Sequence, residues 1–124
     1  MKKLISTMIL FLILISCKQE KECYKFRTGE FIYAEKNRLE KIVRNDSLQI
    51  ETNPNNGIEI HTSIEWTSEC EYVMTYEKIL NYENENKLIG KKIYVEIIET
   101  KGNRIKVHAK SETMNENIEF IKTD

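Results

Sequence analysis

The sequence predicts an all-β domain, an antiparallel meander of about eight short strands closed, or half-open, as a barrel. Three observations carry this reading. After residue 24 the apolar residues recur at every second position, the apolar runs are short, and the segments between them carry asparagine, glycine and proline turn chemistry. Such alternation places one face of each strand in a core and the other in water. A two-sheet sandwich presents the same pattern and is the alternative architecture.

The elements follow in order. Phe26 to Ala34 opens the series, and Asn45-Asp46 separates Leu39 to Arg44 from Leu48 to Thr52. Asn53-Pro54-Asn55-Asn56-Gly57 then turns the chain into the clearest strand. There Ile58, Ile60, Ile64 and Trp66 share one face, and Glu59, His61, Ser63 and Glu65 the other. Thr67-Ser68-Glu69 connects it to Cys70 to Tyr76, where Cys70, Tyr72, Met74 and Tyr76 lie on one side, so the two runs predict a hairpin. Glu77 to Leu88 fits either a short helix or an extended loop. Lys92 to Thr100, Arg104 to Ser111 and Ile118 to Lys122 complete the set, divided by Lys101-Gly102-Asn103 and Asn115-Glu116-Asn117.

Ahead of these strands, Met1-Lys2-Lys3 is a positive start followed by an apolar run from Leu4 to Ile15. At roughly a dozen residues the run is too short for a spanning helix, which needs about 20, and it reads as a secretory signal over residues 1–16. No A-x-A-like site precedes Cys17. The boundary Leu14-Ile15-Ser16-Cys17 instead resembles the lipobox of bacterial lipoproteins, whose cysteine is diacylated and becomes the new N-terminus. That resemblance implies a membrane partner held through acyl chains on Cys17, a tether over residues 17–23, and a single β domain over 24–124. One chain binds a membrane marginally at about 0.8 kcal/mol per buried methylene, whereas several on one cysteine anchor stably. Lys18 stands where enteric lipoproteins retained in the inner membrane carry Asp, so the outer membrane is the expected destination. Lys18-Gln19-Glu20-Lys21-Glu22 partly resembles the signal that exports some Bacteroidetes lipoproteins to the cell surface. Periplasmic and surface orientations both stay open.

The chain has 3 cysteines. With Cys17 lipidated, Cys23 and Cys70 remain in a compartment where disulfides persist, and a bridge between them is expected. It would close a loop of roughly 48 residues and stabilise the fold by about 4 kcal/mol in the chain-entropy picture. Separated cysteines with no nearby histidine pair make no zinc ligand set. The loop leading to Gly57 fails as a calcium loop, because Pro54 and Ser63 occupy ligand positions. No cofactor is expected.

Removal of residues 1–16 takes Lys2 and Lys3 with it and leaves a mildly acidic chain without a basic face, which argues against nucleic acid. His61 and His108 lie on polar faces, and neither a nucleophile elbow nor a His-x-x-x-His pair is present, so no enzyme is expected. Trp66, Tyr72, Met74 and Tyr76 are the candidate ligand residues: they either line a barrel mouth that holds an apolar molecule or fill a small barrel as plain core. Asp46-Ser47-Leu48 resembles the Bacteroidetes O-glycosylation acceptor, which makes Ser47 a candidate at a turn that Asp46 could equally well cap.

Phe26-Arg27-Thr28-Gly29-Glu30-Phe31, Ile64-Glu65-Trp66 with Cys70-Glu71-Tyr72, and Ile89-Gly90-Lys91-Lys92-Ile93 together resemble small flavobacterial lipoproteins of no established activity. Gly29-Glu30-Phe31 is also similar to the Gly-x-aromatic unit that opens the first strand of lipocalin-like domains, which implies a barrel by fold analogy. The expectation is a lipid-anchored outer-membrane protein whose lipocalin-like domain binds a small apolar ligand without catalysis. The alternative is an accessory without a ligand that docks an envelope protein through a sheet face or edge.

Overall fold

The computed structural model describes residues 21–83 and 87–124. Its eight antiparallel strands form one closed barrel in which each pairs with the next in sequence. They are β1 (Gly29–Tyr33), β2 (Lys41–Arg44), β3 (Leu48–Thr52), β4 (Glu59–Trp66), β5 (Glu71–Leu80), β6 (Lys92–Lys101), β7 (Arg104–Lys110) and β8 (Asn115–Lys122). Closure is made where Phe31, Ile32 and Tyr33 of β1 pair with Lys122, Ile121 and Phe120 of β8. This rules out the open sandwich. The result is a lipocalin-like meander barrel, and its closure leaves no edge strand among the described residues.

Period-two patterning sets most of the core. Ile93, Val95 and Ile97 of β6 and Ile105, Val107 and Ala109 of β7 are buried, while Tyr94, Glu96, Arg104 and Lys110 between and beside them are exposed. Two bulges interrupt this phase. Opposite β4, Lys78 pairs with His61 and Tyr76 with Thr62, which leaves Glu77 of β5 without a partner. The extra residue flips the alternation, so Ile79 is buried and both Glu77 and Lys78 are exposed. For this reason Glu77 to Leu80 extends the strand and forms no helix. A second register shift on β6 leaves Ile98 between the pairs Ile97–Val107 and Glu99–Lys106.

Other boundaries move for local reasons. β8 begins at Asn115, ahead of the predicted Ile118, because the reversal is made earlier, where the Ser111 N–H donates to the Met114 carbonyl at 2.8 Å. β1 begins at Gly29 because Cys23–Phe26 forms a turn of 3-10 helix. Gly29 holds φ of 130°, and a Cβ there would lie 2.7 Å from Asp124 Oδ1, so only glycine lets the chain swing from that turn into the barrel.

The 3-10 turn plugs one end of the barrel. Cys23 and Phe26 are 2% and 0% exposed, and Cys23 is bonded to Cys70 with their Cα atoms 5.3 Å apart. Residues that the sequence assigns to the tether lie against the barrel as well: Lys21 Nζ donates to the Ile97 carbonyl at 3.2 Å, and the Glu22 N–H donates to Thr100 Oγ1 at 2.9 Å. From the other side Lys122 Nζ donates to the Lys25 carbonyl at 2.9 Å, and Arg44 Nη1 to the Phe26 carbonyl at 2.9 Å. Phe26, Phe31, Ile42, Ile64, Ile97 and Ile105 form the solid core beside this plug.

The bridge spans 47 residues of sequence. Reduction, or the paired change Cys23→Ser and Cys70→Ser, should therefore cost about 4 kcal/mol of unfolding free energy. Urea unfolding with and without reductant measures it; an unchanged midpoint would mean that the plug is held without the bond.

Candidate functional site

The interior is filled at the plugged end and hollow towards the other. A cavity of about 410 Å³ runs from Arg44 and Tyr72 at its floor to Arg38, Tyr82 and Met114 in the loops opposite the plug. Tyr72, Met74 and Tyr76, the inward residues of β5, line it. Trp66 does not line it. The indole stands at the plugged end, 4.6 Å from the Tyr72 ring with the Arg27 guanidinium 4.6 Å above it. Trp66 is thus a packing residue, because β4 carries it past the cavity floor. The choice between core and pocket has a mixed outcome: Trp66 packs against the core without lining the cavity, Tyr72 belongs to the buried core and to the cavity floor at once, and Met74 and Tyr76 line the cavity while packing against that core.

The cavity has two unlike walls. Ile93, Val95, Val107, Ala109, Ile118 and Phe120 of β6, β7 and β8 form an apolar one. Facing them, β2 and β3 present Arg44, Gln49 and Glu51, with Glu40 just before β2. On these strands apolar Val43 is turned out, 52% exposed, while Arg44 and Gln49 are buried. Periodicity marks β2 and β3 as strands without saying which face is inside, since an inside-out strand alternates identically. One signal was available: Arg44 lies two residues after Ile42 and so shares its face.

Near the mouth the Tyr33 hydroxyl donates to Glu51 Oε1. The Arg38 guanidinium lies 3.8 Å from the Tyr33 ring centre, and its Nε stands 4.0 Å from Glu40 Oε2. That Glu40 oxygen is buried and accepts no hydrogen bond within the protein. Burial pushes the Glu51 carboxyl above its ordinary range; the Tyr33 hydrogen bond and Arg38 pull it down, the Glu40 charge pushes it up, and the net direction is upward. Burial, and then the Glu51 charge, push the Tyr33 and Tyr76 phenols upward.

Elsewhere, His61 Nε2 meets Glu59 Oε1 at 2.9 Å and His108 Nδ1 meets Asn117 Oδ1 at 2.7 Å, both pairs away from the cavity. Ser47 is exposed in the β2–β3 turn. Asn45, not Asp46, caps this turn, its Oδ1 accepting from the N–H groups of Ser47 and Leu48 at 3.0 and 2.9 Å. Cys17 lies outside the described residues. A second groove, of about 620 Å³, is lined by exposed Lys91, Lys92, Tyr94 and Lys110 and shares Tyr76, Leu88 and Met114 with the first. No family model, curated protein or solved structure matches the chain.

The raised Glu51 carboxyl has a defined signature. The folded state holds that proton more tightly than the unfolded chain, so its contribution is full at low pH and declines as pH rises from the ordinary value, about 4.3, towards the raised one. Glu51→Gln abolishes the decline. Urea midpoints should favour the variant increasingly as pH rises through this window; a constant difference would show that Glu51 ionises in the fold as freely as in the unfolded chain.

Proposed function

We propose that this is a lipid-anchored envelope protein whose barrel binds a small, largely apolar molecule without catalysis. The observation that carries the reading is the cavity. Its volume of about 410 Å³ falls within the roughly 300–1,000 Å³ usual for ligand sites, and a mostly apolar wall faces a few convergent polar groups. A barrel of this strand number has room for packed side chains or for one small ligand, and here Ile93, Val95, Val107 and Ala109 of the core also line an open cavity. The signal segment and the lipobox-like Leu14-Ile15-Ser16-Cys17 support anchoring at the outer membrane. Docking of an envelope protein is the second reading, favoured by exposed apolar Val43 and Ile32 on the outer wall of neighbouring strands β2 and β1.

A neutral probe that fluoresces in apolar surroundings, such as N-phenyl-1-naphthylamine, tests the cavity on the chain purified with its disulfide intact. Ala109→Trp places an indole in the hollow half and should abolish probe binding at a packing cost of about 1–3 kcal/mol. Trp66→Ala should leave probe binding intact while lowering stability by about 3 kcal/mol. Undiminished binding by a folded Ala109→Trp variant would refute the cavity as the site.

For the anchor, Cys17→Ser should move the protein from the detergent to the aqueous phase in phase partitioning. Retention in the detergent phase would remove the lipid anchor from this reading.

A further inference from the structure

We infer that the ligand is an amphiphile with a carboxylate head, bound head-down, the acid against Arg44 and Tyr72 on the cavity floor and the apolar body along the β6–β8 wall. This rests on the ligand-binding reading above and specifies its ligand class.

Arg44 is 6% exposed, and every partner it has is neutral. Nε and Nη2 donate to Gln49 Oε1 at 3.0 and 2.7 Å, Nη1 to the Phe26 carbonyl at 2.9 Å, and Nη2 to the Tyr72 hydroxyl at 3.2 Å. The rings of Phe31 and Tyr72 each stand 5.0 Å from the guanidinium carbon. Among the described residues no carboxylate pairs with it. A buried cation without a counter-ion is unfavourable in a protein that needs only to be stable, since its desolvation is not offset by an opposite charge.

The unused hydrogen-bonding capacity adjoins the same floor. A guanidinium has five N–H groups, and the contacts above leave one on Nη1. The Tyr72 hydroxyl accepts from Arg44 and donates to no described residue, so its proton is also free. Both side chains line the cavity. One positive charge and two donors match the two oxygens of a carboxylate. Charge is graded along the axis to suit this orientation: Glu40, Glu51 and Glu116 stand against Arg38 in the outer part, and Arg44 lies at the floor. An anionic head is disfavoured among the outer carboxylates and favoured beside Arg44, while the chain behind it meets Met74, Val107 and Phe120. A cationic head would take the reverse position, at the carboxylates of the mouth.

The test is competition against the neutral probe by three eight-carbon compounds of equal chain length, octanoate, octanol and octylamine, using the chain with its disulfide intact. Octanoate should displace the probe at least tenfold more effectively than octanol. Arg44→Gln would also remove a bond to the plug, so the informative variant is Gln49→Glu. It keeps an acceptor for both hydrogen bonds from Arg44 and supplies the absent counter-ion. The variant should be folded and lose the tenfold preference for octanoate over octanol, while Tyr72→Phe should reduce that preference several-fold. Equal displacement by octanol and octanoate, or an octanoate preference that survives in Gln49→Glu, overturns the inference and leaves the cavity reading standing. Strongest displacement by octylamine also overturns it and moves the head group to Glu40 and Glu51. Failure of the native chain to bind the probe or any of the three compounds overturns the cavity reading and this inference together.

Discussion

The bond between Cys23 and Cys70 holds a single 3-10 turn across one end of the barrel, and the division of the interior into a solid and a hollow half follows from that tie. A turn so short has no stability of its own. Held in place, it inserts Phe26 among Phe31, Ile64 and Ile97 and lends a backbone carbonyl to Arg44. The plugged end can then carry most of the packing. The strands beyond it are kept in register by their backbone ladders and need not fill the space they enclose.

Arg44 joins these two halves. Its guanidinium holds the plug through the Phe26 carbonyl, lies 5.0 Å from both the Phe31 and the Tyr72 rings, and forms part of the cavity floor. Gln49, directly across the β2–β3 ladder, positions it with a neutral oxygen. One cross-strand pair thus links the anchoring of the N-terminal turn to the polarity of the cavity. Along the same wall Glu51 is held by Tyr33, whose ring packs at a tilt against Phe120 of β8 and lies under the Arg38 guanidinium, so the polar groups near the mouth are fixed by the strands that close the barrel.

The bulge at Glu77 has a comparable reach. Without the additional residue, Lys78 would point into the barrel and Ile79 into water. With it, β5 supplies Tyr72, Met74, Tyr76 and Ile79 to one continuous interior surface. The bulge also brings the alternation to an apparent halt at Tyr76, which is why the stretch from Glu77 onward does not look like a strand on periodicity alone.

Read alone, the sequence determined the class of the fold, the approximate place of each strand and the pairing of the two cysteines. Those properties depend on local periodicity, on turn residues and on the small number of thiols, all of which are written along the chain. Only the tertiary structure decided that the sheet closes, that Trp66 packs beneath the cavity and not in its wall, and that β2 and β3 turn Arg44, Gln49 and Glu51 inward. The physical reason is that facing in a barrel is set by register and closure between strands distant in sequence. A polar residue that lines a cavity and one that faces water have the same neighbours along the chain.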